Sequence, residues 1–162
     1  MVVEDTFVTT LESEEALCRA HTLLSSIGFT TPPQRGIPMA GTAWTTLEMK
    51  RGRKQARNHY CAADCPQRLR VEWDRGRITL ANSMETIRKP KAPHKEIALG
   101  VARGVEDLLC RQTPIEDCHR TLAEMEGRIR KAHRRKAALV WIILLIFIAA
   151  CVGLIIMAAN LH

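Results

Sequence analysis

The sequence predicts an α+β fold: a small antiparallel sheet covered on one face by helices, followed by a long C-terminal helix that continues into a single transmembrane helix. Three observations predict it. Short stretches rich in β-branched and aromatic residues, at 6–11, 43–49 and 69–80, carry the alternation of strands. Apolar stripes at helical spacing follow the first of these and return after the last. Residues 137–159, AALVWIILLIFIAACVGLIIMAA, form an unbroken apolar run of 23 residues with no charge. Helices gathered on one face of an antiparallel sheet make a two-layer α+β sandwich.

Taken in order, Phe7, Thr9 and Leu11 alternate with Val8 and Thr10, which predicts a first strand at 6–11. A helix follows at once. Ser13 is placed to cap it, Glu14 and Glu15 sit where the helix dipole favours acids, and Gly28 supplies a left-handed stop. Ala16, Leu17, Ala20, Leu23, Leu24 and Ile27 make its apolar stripe, which needs a sheet to cover. Residues 29–42 hold Pro32, Pro33, Gly36, Pro38 and Gly41 and read as a surface loop. Trp44, Thr45, Thr46 and Leu47 mark the next strand.

Two similar stretches come next, LEMKRGRKQARN at 47–58 and VEWDRGRITLAN at 71–82. Both suit hairpins. In the second, Leu69, Val71 and Trp73 alternate with polar residues, Asp74, Arg75 and Gly76 turn the chain, and Ile78 and Leu80 return. In the first, the return arm 53–57 is nearly all polar and reads as a solvated edge or a loop. Between them, His59, Cys61 and Cys65 have the spacing with which a loop grips zinc. A fourth ligand is missing, and the expectation is that no metal or other cofactor binds and that both cysteines are small core residues.

The run Arg88, Lys89, Pro90, Lys91, Ala92, Pro93 reads as a linker, with a helix starting near Pro93 or His94. Ile97, Ala98, Val101, Val105, Leu108 and Leu109 share one face of that helix. Gly100 and Gly104 weaken it by up to about 1 kcal/mol each and mark close approach to another backbone. Thr113, Pro114 and Glu116 then start a new helix, with proline at the first helical position and a capping box. On it Ile115, Cys118, Leu122, Met125 and Ile129 repeat by three and four, the pattern of a coiled-coil seam. Two heptads leave two alternatives of equal weight: a seam between two copies of the chain, or packing on the chain's own domain.

The apolar run decides the setting. At about 1.5 Å per residue it extends roughly 34 Å, enough to cross a hydrocarbon core of about 30 Å. Arg128, Arg130, Lys131, Arg134, Arg135 and Lys136 form a basic collar before it, and basic residues beside a span are retained in the cytoplasm. The expected layout is tail-anchored, because no secretory signal pattern appears in MVVEDTFVTT. It comprises a cytosolic domain at 1–112, a helical connector at 113–136, the span at 137–159 and a short non-cytoplasmic tail at 160–162. Cytosolic thiols stay reduced, so the six cysteines are not expected to form a disulfide framework.

The net charge of +7 arises from 24 basic and 17 acidic residues. Collar contacts with anionic head groups account for most of it, so nucleic acid is not an expected partner. No phosphate loop, zinc-protease motif or nucleophile elbow is present, and no enzyme activity is expected. Two functions remain. One is a membrane-tethered protein-interaction or scaffolding module for a partner the sequence does not identify; the other is a binder of lipid or a small apolar ligand between sheet and helices. A filled core favours the module, and an apolar void of several hundred Å³ favours the binder.

Overall fold

The computed structural model describes residues 1–32, 45–52, 61–85 and 89–159, with side chains through residue 153. Its strands are β1 (Val2–Val8), β2 (Thr46–Arg51), β3 (Gln67–Asp74) and β4 (Arg77–Met84), and its helices are α1 (Ser13–Ser26), α2 (Ala92–Cys110) and α3 (Ile115–Ala159). The expected α+β architecture is present. All strand pairs are antiparallel and the sheet order is β1-β4-β3-β2. The chain divides into two compact units, Met1–Ile129 and Arg130–His162.

Local signals set most element ends in the first unit. Gly28 has φ +87°, its N–H bonds the Ser25 carbonyl, and the Phe29 N–H reaches back to Leu24, which is the paired-bond stop of a Schellman motif. Phe29 and Leu24 are both buried and supply the accompanying apolar contact. Arg75 (φ 48°) and Gly76 (φ 80°) form the two-residue turn of the β3–β4 hairpin, with both residues left-handed as its twist requires. Pro114 differs by one position from expectation. Its carbonyl accepts the Cys118 N–H at 3.1 Å, so it caps α3 from just outside. Ser13 likewise is the first helical residue of α1, and Glu12 holds the cap position without a side-chain bond.

Strand boundaries follow partners more than propensity. β1 lies four residues upstream of the expected start because Val2–Val8 aligns with Arg77–Ser83, and Met1 and Met84 bond at one end of that ladder. The chain leaves the sheet at Thr9, whose hydroxyl donates to the Leu109 carbonyl and accepts the Leu11 N–H. β2 pairs with β3, Thr46 opposite Glu72 and Arg51 opposite Gln67. The expected return arm 53–57 and most of the loop 29–42 lie outside the described residues.

The core fills the space between the sheet and the helices. Leu47, Met49, Leu69, Val71, Ile78, Leu80 and Met84 face it from the strands, and Leu17, Leu23, Leu24, Ile97, Val101, Val105 and Leu108 from α1 and α2, all at most 2% exposed. Burial of a leucine, isoleucine or valine is worth about 1.5–3 kcal/mol relative to exposure, so this layer is the main source of stability. The other sheet face is open and carries Glu48, Arg70 and Glu72, with Arg70 bridging both acids.

Candidate functional site: a groove on the domain and a charged collar

The first part of α3 belongs to the domain. Cys118, Leu122, Met125 and Ile129 are buried and Ile115 packs against the same core, so the domain runs to Ile129 where the sequence suggested an end at 112. The reason lies in α2. A Cβ placed on Gly104 would come within 2.9 Å of Leu122 Cδ1, and one on Gly100 within 2.6 Å of Met125 Cε. The two glycines therefore admit side chains of α3, where the sequence suggested a second backbone. Gly104 against Leu122 and Gly100 against Met125 also make the two helices antiparallel. Residues proposed as a seam between chains are thus occupied within one chain, and a dimer on the same stripe would have to displace this packing.

A second tie holds α3 in place. Arg51, buried at the end of β2, sends Nη1 to Glu126 Oε1 at 2.5 Å and to the Ile27 carbonyl at 3.1 Å, and its guanidinium lies 4.7 Å from the Phe29 ring centroid. One guanidinium therefore joins α3, the end of α1 and the sheet edge. Removing either partner of a buried pair leaves an uncompensated charge, so this contact is specific to the native arrangement.

Outside this packing, α2 and α3 leave an open groove of about 560 Å³. Leu99, Gly100, Leu122 and Met125 form its floor, and Lys95, Arg103 and Arg128 stand along its lips. Asp107 and Asp117 also border it, but Arg111 engages the first at 3.0 Å and Arg120 the second. Glu96 is the remaining acid. Burial pushes the Cys118 thiol at the groove wall above its ordinary value, with Asp107 and Asp117 acting in the same direction. That thiol stays protonated at neutral pH.

The cysteine turn has a different character. Cys61 and Cys65 flank a short 3-10 turn, Ala62–Asp64, and both are buried. The Cys65 thiol donates to the Cys61 carbonyl at 3.6 Å, and burial, then Cys61 and Asp64, raise its pKa. A protonated, hydrogen-bonded thiol is neither a nucleophile nor a ready metal ligand. His59 lies outside the described residues, and among those described no group of three or more His, Cys, Asp or Glu could hold a metal ion. The remaining buried polar side chains, Gln67 and Asn82, face the core from β3 and β4; Asn82 Nδ2 donates to the Ala98 carbonyl at 3.4 Å.

The second unit carries the collar and the apolar helix. Arg130, Lys131, Arg134, Arg135 and Lys136 are all exposed. At 100° per residue the first four fall within an arc of about 140°, which gives the helix one strongly cationic face. Arg128, the sixth collar residue, belongs to the domain and stands at the groove. Beyond the collar, Leu139, Val140, Trp141, Ile142, Ile143, Leu145, Ile146 and Phe147 are each more than half exposed. Among the described residues, one helix is long and apolar enough to cross a membrane, and none of its most apolar window is buried within the protein.

Aromatic placement bears on nucleic acid. Phe7 and Phe29 are buried, and the half-buried Trp73 donates its indole N–H to the Leu11 carbonyl at 3.2 Å. Among the described residues the open sheet face therefore presents no ring on which a base could stack. Comparison with known protein families, characterised proteins and solved structures finds no match for this chain.

Proposed function

We propose that this protein is held in a membrane by the helix at 137–159, with its α+β domain on the cytoplasmic side, and that the domain is a protein-interaction module. The observation that carries the reading is the run of large apolar side chains left exposed just beyond five consecutive-turn basic residues. Water does not tolerate such a surface, and lipid does. Placing Lys and Arg at its entry supports a cytoplasmic domain, and each basic side chain near anionic head groups contributes about 1 kcal/mol.

The second half of the reading rests on the core. The space between sheet and helices is filled by Leu23, Leu24, Met49, Leu69, Ile78 and Leu80, which supports a module working through its surface over a binder of ligand in that space. No catalytic role is assigned. The test is protease treatment of sealed cells that express the full chain. An intact domain, cleaved only after permeabilisation, is expected, whereas digestion from outside would reverse the orientation and remove the basis for cytosolic partners.

A further inference from the structure

We propose that the groove between α2 and the domain portion of α3 receives an acidic amphipathic helix of a partner protein. This deepens the interaction-module reading and rests on it. Two antiparallel helices enclose a trough, and a trough with an apolar floor suits the apolar face of a third helix better than an extended peptide, which would leave its backbone polar groups without the strand edge they need. The volume of about 560 Å³ lies in the range of real binding sites.

Charge selects the occupant. Lys95, Arg103 and Arg128 line the groove and are exposed, and none forms an ion pair among the described residues, whereas Asp107 and Asp117 are already engaged by Arg111 and Arg120. With Glu96 included, the uncommitted charge is three positive and one negative. A partner surface must therefore be acidic. Spacing then selects the pattern. Lys95, Leu99 and Arg103 are four and eight residues apart on α2, so the two cations stand about 12 Å apart with an apolar residue between them. A helix that matches them carries Asp or Glu two turns apart, at i and i+7 or i+8, with Leu, Met or Phe at i+3 and i+4 directed at the floor. A second copy docking in parallel would set Lys95 and Arg103 against their own kind, which argues for a different chain.

The full chain in nanodiscs of zwitterionic lipid tests this with two labelled synthetic helices, identical except that Glu at i and i+7 in one is Lys in the other. The Glu helix should bind saturably and at least about tenfold more tightly than the Lys helix, and the difference should shrink as salt rises. Arg103→Glu and Lys95→Glu should each weaken the Glu helix by about tenfold and leave the melting temperature unchanged, since both side chains are exposed. Lack of saturable binding, equal binding of the two helices, or insensitivity to both substitutions would overturn the proposal. So would displacement of the Glu helix by phosphatidylserine nanodiscs with equal efficiency, which would assign the cations to lipid head groups. Failure here with a protected domain in sealed cells removes the groove and leaves the membrane module; an extracellular domain removes the module whatever the groove binds.

Discussion

Leu24 and Leu144 are the same residue in the same kind of secondary structure, yet one is fully buried and the other 43% exposed. The contrast extends to whole regions. On α1 and α2 apolar residues occupy a stripe, and charged residues such as Glu15, Arg19 and Arg103 fill the rest of the surface. On α3 beyond Lys136 they occupy every direction. A striped helix needs one apolar neighbour, which the sheet supplies. A helix apolar all round needs apolar surroundings on every side, which the described residues do not supply. The two regions therefore obey one principle with different surroundings, and each substitution below acts on only one of them.

The largest effect is expected from placing charge in the exposed run. Leu145→Arg combined with Ile146→Arg adds about 3 kcal/mol per arginine to the cost of residing at a bilayer centre. The doubly substituted chain should be lost from carbonate-washed membranes while its domain keeps the far-ultraviolet circular dichroism of the parent. Retention of both arginines in an integral protein would mean that this helix is covered by something other than lipid.

A smaller effect sharpens the contrast residue by residue. Leu24→Ala should lower domain stability by about 2–5 kcal/mol, because the cavity it leaves sits under α1 among side chains that relax only partly. Leu144→Ala should change domain stability by less than about 0.5 kcal/mol. Urea denaturation of the full chain in detergent, followed by tryptophan fluorescence in a Trp141→Phe background so that the signal arises outside the apolar helix, distinguishes them. Equal losses would show that the apolar helix supports the domain's fold.

The smallest effect concerns pH, to which only the domain should respond. Burial lowers the His94 pKa, and His94 Nδ1 accepts the Lys91 N–H at 3.2 Å at the start of α2. A depressed folded-state pKa contributes stability above the ordinary value of 6.5 and loses it as pH falls, so the domain should weaken on acidification from about pH 7 to 5. Solvent at this half-exposed site and the modest worth of one capping bond hold the loss below about 1 kcal/mol. In His94→Gln the slope should flatten in denaturation curves across that range, while the membrane-bound fraction stays constant in both proteins.

Several features were legible in the sequence because they are local. The Gly28 stop, the Asp74 to Arg77 turn and the start of α2 depend on residues within one turn of the chain, and glycine or proline at those positions narrows the backbone to a few conformations. The apolar run and its collar were legible for the same reason, since neighbouring residues share one solvent. The cysteine pair drew attention by spacing, but spacing does not report burial, and burial is what keeps the Cys65 thiol protonated.

Long-range pairing was not legible. Propensity placed the first strand at 6–11, yet β1 includes Glu4 and Asp5, poor strand formers that an edge position tolerates once Val2–Val8 aligns with β4. The stripe from Ile115 to Ile129 was equally suited to a second copy and to its own domain, because heptad spacing describes a surface and says nothing of what covers it. The choice fell to Gly100 and Gly104, which lie some twenty residues away and leave the space that Met125 and Leu122 fill. Arg51 and Glu126 are 75 residues apart and meet only because sheet and helix already lie in place. The sequence by itself determined which segments are helical, where they stop and which one is long and apolar enough to cross a membrane, since those are consequences of neighbours along the chain; the sheet order, the extent of the domain and the charged groove were decided by contacts between distant segments, whose free energy exists only after the chain has folded.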